Sequence, residues 1–230
     1  MQHRNSQTEN SDCKKLLELV GGKSIPGALY NIGVGPSEEE HNEAVFFKQM
    51  FPDIEIFGVE ANPKFALSRS KNYPGSILSK GVWSEKCVKT LSVPLSGTGR
   101  SSLLNAREEW AKKKSFNVAE TIDVECTTLD AFDVIAGKPD RIWLWMDIEG
   151  AELEALKGAK NLLQSRRVDV ITLEVSTKGI GGIQLARRHG EPSIVEIENY
   201  LNGFDYVGAD VISRASIFVN VLFLRKELLQ

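Results

Sequence analysis

Three observations predict an α/β fold, a doubly wound and mostly parallel sheet with an antiparallel last strand. First, short apolar runs alternate with helical patterns: 28–35 with 38–50, 54–59 with 64–71, and 142–146 with the segment that follows it. Such alternation builds βαβ units. Second, the run Ile142-Trp143-Leu144-Trp145-Met146 is apolar throughout and bounded by charge, the pattern of a strand buried on both faces. Third, the chain closes on two apolar segments, 204–212 and 217–224, with only Ser213-Arg214-Ala215-Ser216 between them. So short a joint makes them an antiparallel pair at one sheet edge.

The length of 230 residues fits one domain with a substantial core. With 42% hydrophobic and 26% charged residues, the composition is that of an ordinary globular chain. The formal net charge of -3 supplies no basic footprint, so nucleic acid is not the expected partner. No apolar run approaches the roughly 20 residues of a membrane span, and the polar N-terminus lacks a signal-peptide core. Cys13, Cys87 and Cys126 are odd in number and widely spaced. That usage points to reduced thiols and a cytoplasmic location rather than to a disulfide framework or a zinc site.

In chain order, residues 1–10 read as a polar tail. Residues 11–20 read as a short amphipathic helix stopped by Gly21-Gly22. These two pieces form an N-terminal appendage, 1–20, to a single domain, 21–230. The first strand runs into a G-x-G turn at Gly33 and Gly35. The second ends at Glu60-Ala61-Asn62-Pro63, and a third spans 76–83. The alternation pauses between residues 89 and 128, where the pattern suggests a strand at 90–93, a Gly/Ser-rich turn at 96–99, a helix over 103–113 and a strand at 122–127. Lys112-Lys113-Lys114 reads as a solvated helix end. The alternation resumes with 142–146 and a helix carrying Leu153, Leu156, Ala159 and Leu163 at helical spacing. A fifth strand, 168–173, ends at Glu174. After a glycine-rich connection over 178–190, Ser193 caps a helix through Leu201.

In an open parallel sheet, ligands bind outside the carboxyl ends of the strands. There, Gly33 and Gly35 let backbone approach a ligand, and the helix behind them offers free N–H groups. Glu60, ending the second strand with Asn62 close behind, stands where a carboxylate accepts from both ribose hydroxyls. The pairing indicates a nucleoside-containing cofactor, although a tight turn and a solvated strand end would also account for it. A nicotinamide fingerprint wants a third glycine where Glu38 stands, and Glu38-Glu39-Glu40 would repel a pyrophosphate. S-adenosylmethionine carries ribose and adenine without phosphate and suits the loop better. Gly81, Val82 and Trp83 can wall the adenine, unless Trp83 belongs to the core.

Several segments resemble the FkbM-type methyltransferases. They are 31–35 (NIGVG), 57–63 (FGVEANP), 124–130 (VECTTLD), 145–159 (WMDIEGAELEALKGA) and 170–174 (VITLE). The resemblance covers about residues 28–224, and its D-x-E-G-A-E-x-x-x-L-x-G-A piece is highly specific. It implies a class I, Rossmann-like methyltransferase fold and methyl transfer from S-adenosylmethionine, usually to a hydroxyl of a sugar or related natural product. It also implies cofactor contacts at Gly33, Gly35, Glu60 and the turn after Trp83. The first-strand acid usual in that family is Asn31 here, which can still accept a hydrogen bond from the methionine end but brings no charge to its ammonium.

Asp147 and Glu174 end neighbouring strands of that fold, about 4.8 Å apart, with Glu149 two residues on. Like charges so close require a shared proton or a cation. Two mechanisms stay open: Mg²⁺ or Mn²⁺ on Asp147 and Glu174, or metal-free proton transfer to one of the carboxylates. Helix capping by Asp147 and a dipole role for Glu149 form the structural alternative. Arg187, Arg188 and His189, at the end of the 178–190 connection, are candidate acceptor-binding residues on a mobile lid, suited to an anionic acceptor such as a phosphorylated sugar; an ordinary solvated loop is the alternative. His41 reads as an exposed histidine. The expected acceptor is a small molecule or glycan; composition does not address the oligomeric state. A nucleotide-dependent oxidoreductase and a binding protein without turnover are the competing functions.

Overall fold

A computed structural model describes residues 6–36, 43–95, 98–107, 117–176, 188–214 and 218–229. Its frame is a seven-stranded sheet made of β1 (Ala28–Ile32), β2 (Glu55–Glu60), β3 (Ser76–Ser79), β7 (Ile142–Met146), β8 (Val168–Ser176), β9 (Tyr206–Arg214) and β10 (Phe218–Arg225), in the order β3-β2-β1-β7-β8-β10-β9. The first five strands of that order pair in parallel, and β10 runs antiparallel to both neighbours. A second sheet, β4-β6-β5, is built from β4 (Gly81–Val82), β5 (Cys87–Pro94) and β6 (Val118–Thr127). The closing strands pair as expected, with β10 inside and β9 at the edge.

Strand β7 shows why a run without polar residues was needed. All five of its residues are buried, and a strand's side chains alternate between faces. Ile142, Leu144 and Met146 enter one core layer with residues of α4 (Leu129–Ile135), α5 (Glu152–Lys157), α6 (Lys160–Gln164) and α7 (Ile194–Asn202). Trp143 and Trp145 enter the opposite layer, under α1 (Ser6–Val20) and α2 (Glu43–Met50). There Phe47 packs edge-on against Trp143 at 5.6 Å between centroids, and the Trp143 indole donates to Ser24 Oγ at 3.0 Å. Helix α1 is part of this layer through Cys13, Leu16 and Val20, because its apolar stripe cannot be left in water.

Local structure differs from the sequence reading in several places. The described helix α1 begins at Ser6 rather than at residue 11. The stretch 76–83 splits at Lys80 into β3 and β4, which belong to different sheets. Residues 103–107 are not helical: Ser102 bridges Ser92 and Ala106 bridges Arg188, so backbone pairing overrides helical spacing. The rest of that expected helix and the lysine run lie outside the described residues, as does His41. Helix α4, capped by Thr128 accepting from the Ala131 N–H at 3.1 Å, was not foreseen. The expected helix after residue 150 breaks at Gly158-Ala159 into α5 and α6. No described helix is long and apolar enough to cross a membrane.

Candidate active site

A cavity of about 560 Å³, its open mouth included, lies over the carboxyl ends of β1, β2 and β7. Gly33, Gly35, Glu60, Gly81, Val82 and Asp147 line it, as the sequence reading anticipated. Phe65, Leu91 and Ser101-Ser102-Leu103 complete the wall. No signal in the sequence ties those residues to the turn; it is the second sheet that carries Leu91 there and pins Ser102 beside it.

The geometry of Gly33 explains its identity. Its φ is +94°, and a Cβ added there would lie 2.0 Å from the Asp147 carbonyl oxygen. The Asp147 N–H donates to the Ile32 carbonyl at 3.0 Å, and the Gly33 N–H donates to Val59 at 2.9 Å. The ends of three strands are thus closed against one another with no room for a side chain. Glu60 is buried, and its two oxygens accept from the N–H groups of Gly35 at 2.8 Å and Asn62 at 2.7 Å. The carboxylate therefore ties the G-x-G turn to the end of β2.

Three of the proposed cofactor contacts fall elsewhere. Asn31 is wholly buried next to Tyr73 and does not line the cavity. Alternation along β1 sends Ile32 toward the cavity and Asn31 into the layer under α1 and α2. Asn62 is also wholly buried; its Oδ1 caps α3 (Pro63–Arg69) by accepting from the Lys64 N–H at 3.0 Å. Trp83 sits in the small core of the second sheet with Leu91, Val124 and Cys126, and the Lys89 ammonium lies 3.7 Å from its ring centroid. Its turn reaches the cavity through Gly81 and Val82 alone.

Asp147, Glu149 and Glu174 converge as the strand order implied, with one carboxylate oxygen of each lying within 4.8 Å of the others. Glu149 and Glu174 are buried and Asp147 is half-buried. None of the three caps α5, whose N-cap, Ala151, has no side-chain bond. Glu152, the first residue of α5, instead ties down the loop ahead of the helix: its Oε1 accepts from the N–H groups of Ile148 at 3.1 Å and Gly150 at 3.2 Å. An acid in the first helical turn was the available clue. Glu149 is left-handed at φ 55°, a conformation unusual for a non-glycine residue. Ser102 holds it there by donating to its carbonyl at 2.9 Å.

Arg188 corrects the lid reading. Its side chain is wholly buried, with Nη2 3.3 Å from Glu149 Oε2 and donating to the Arg100 carbonyl at 2.7 Å. A buried guanidinium needs a carboxylate, and Glu149 supplies it, so Arg188 faces the carboxylate cluster rather than an incoming acceptor. His189 is exposed, and its N–H donates to Asn105 at 2.9 Å. Arg187 and residues 178–186 of the expected lid lie outside the described residues.

The three carboxylates offer hard oxygen donors, which suits Mg²⁺ or Mn²⁺. Helix α1 is bonded to β10, the strand next to the one that carries Glu174. Asn220, opposite Glu174 in the register, donates to Asp12 Oδ2 at 3.1 Å.

A mostly parallel sheet finished by an antiparallel β10, with a cavity over its carboxyl ends, is the Rossmann-like architecture expected of a class I methyltransferase. The Methyltransferase FkbM domain model matches residues 28–207, and the chain belongs to that family. No curated protein matches the chain. Among solved structures it is similar to a SAM-dependent methyltransferase from Aquifex aeolicus, at 12% identity over 96% of this chain and 93% of the other, with a TM-score of 0.47. It is also similar to a putative sarcosine dimethylglycine methyltransferase from Galdieria sulphuraria, at 10% identity over 95% and 85% of the two chains, TM-score 0.49. A third is the plantazolicin methyltransferase BpumL in complex with SAH, at 10% identity over 96% and 83%, TM-score 0.48. The family match replaces the oxidoreductase and non-catalytic readings.

Proposed function

We propose that the chain methylates a hydroxyl of a sugar, glycan or related small natural product. The observation that carries this reading is the position of Asp147, which both lines the cavity and belongs to the carboxylate cluster. Glu60 would hold the ribose of S-adenosylmethionine in that cavity, and Asp147 would stand on the side of the acceptor. The acceptor oxygen attacks the methyl carbon as the carbon–sulfur bond breaks. Its proton passes to Asp147 or Glu174, and S-adenosylhomocysteine leaves. Alignment of the two reactants supplies most of the acceleration, with the carboxylate adding about 10²–10⁴-fold as general base. Arg188 is used in holding Glu149, so a neutral acceptor fits better than an anionic one. The net charge of -3 argues against nucleic acid, and the free thiols Cys13, Cys87 and Cys126 support a cytoplasmic location.

The test is incubation with methyl-labelled S-adenosylmethionine and a panel of glycans, small polyols, amines and proteins, followed by mass spectrometry of the products. Methyl ethers on hydroxylated acceptors are expected; label confined to amines or proteins would refute the proposal.

The 4.8 Å convergence also favours a second reading, in which Asp147 and Glu174 hold Mg²⁺ or Mn²⁺. Such an ion lowers the pKa of a bound hydroxyl, and the two carboxylates then orient the acceptor. Turnover lost in EDTA and restored by Mn²⁺ supports this route, and full turnover in EDTA excludes it.

A further inference from the structure

We infer that Cys87 and Cys126 form a dithiol site that reacts with small disulfides and couples the oxidation state to the cofactor wall. The two residues are direct cross-strand partners, Cys87 on β5 and Cys126 on antiparallel β6. Directly opposed residues project to the same face. Their Cα atoms lie about 4.5–5.5 Å apart in either kind of antiparallel pair, inside the roughly 4.4–6.8 Å that a disulfide spans. Both are free thiols in this structure. Cys87 is half-buried and open to a reagent, while Cys126 is 4% exposed in the core of the second sheet. Burial, with Cys87 beside it, pushes the Cys126 thiol up to about 12, which makes it the resolving partner rather than the attacking one.

The exchange balances as follows. The Cys87 thiolate attacks one sulfur of a low-molecular-weight disulfide, whose S–S bond breaks and releases one thiolate. Cys126 loses its proton to solvent and attacks the Cys87 sulfur, expelling the second thiolate. Two electrons have then passed from the pair to the reagent.

Gly81 links this pair to the methyl donor. It is the register partner of Cys126 on β4, and a Cβ there would lie 2.7 Å from Cys126 Sγ. The sulfur is therefore seated on Gly81, which lines the cavity with Val82, while Leu91 on β5 lines it from the other side. Strand β4 is two residues long and joins its sheet only through the Gly81–Cys126 and Val82–Thr127 pairs. Drawing Sγ toward Cys87 removes its contact with Gly81, and a gap of even a fraction of an ångström forfeits much of a dispersion contact. The wall loosens and the cofactor binds less well.

The experiment treats the full chain with oxidised glutathione at mildly alkaline pH, maps disulfides by mass spectrometry, and titrates S-adenosylhomocysteine by calorimetry. The expected product is a Cys87–Cys126 cross-link with Cys13 still reduced. Affinity should fall several-fold and return to the untreated value on reduction. Cys87→Ser keeps its affinity through the same treatment, and reduced protein that binds normally shows that the cavity itself is intact. Persistent free thiols, glutathione adducts alone, or a cross-link through Cys13 would overturn the dithiol site. A Cys87–Cys126 cross-link with unchanged affinity would overturn the coupling.

Discussion

Replacing Arg188 by Met keeps most of its volume and removes its charge. Arg188 as a residue is 0% exposed, and its partner Glu149 is 8% exposed. The pair stands 3.3 Å apart with the Arg100 carbonyl also engaged. Removing one partner of a buried ion pair leaves the other charged and desolvated, at a cost of about 3–5 kcal/mol. A domain's stability is about 5–15 kcal/mol, so this is a large part of the whole. At about 2–4 °C per kcal/mol for a chain of this size, Tm should fall by roughly 6–20 °C. Urea unfolding of wild type, Arg188→Met, Glu149→Gln and the double variant is the assay. The double variant should recover much of the loss, because no unpaired charge remains; a coupling energy of about 1 kcal/mol or more is expected. A single-variant change within about ±0.5 kcal/mol, the range of solvated surface positions, would refute the interior role and restore the open-loop reading.

Glu60→Ala should weaken S-adenosylhomocysteine binding by about 1.5–3 kcal/mol for each charge-assisted bond lost; unchanged calorimetric affinity in a folded variant would remove the ribose assignment. Gly33→Ala should cost more than about 1 kcal/mol of stability, because its Cβ would lie 2.0 Å from the Asp147 carbonyl oxygen; a melting curve like that of wild type would contradict this packing. Glu174→Gln should lower turnover by about 10²–10⁴-fold while leaving cofactor affinity intact, since Glu174 lies outside the cavity lining; equal losses of both would make it a cofactor ligand instead. Leu16→Ala in α1 should cost about 2–5 kcal/mol, given its 1% exposure, and denaturant unfolding reads this directly.

The alternation of apolar runs and helical spacings was enough to place the central parallel strands of the large sheet, because burial on both faces of β7 and β8 demands residues that no surface element would carry, but it did not show the break at Lys80 between two sheets. The Gly33, Glu60 and Asp147 positions were legible for a related reason. They stand at strand ends, and the parallel register brings strand ends to one edge of the sheet. The short antiparallel finish was legible from loop length alone.

What the tertiary structure decided were partners distant in sequence. Asn31 reads as a cofactor contact until the pleat of β1 turns it into the opposite layer. Arg188 sits in a basic tripeptide that looks solvated, and it becomes an interior cation only when the 188–191 segment pairs with 100–107 and presents it to Glu149. Residues 102–107 show the same priority, with backbone pairing to Ser92 and Arg188 taking the place of a helix. Composition and periodicity thus determined the sheet and the carboxylates at its edge, since those follow from which surfaces must leave water. Which charge meets Glu149, and which walls close over the cavity, depend on contacts that no local pattern encodes.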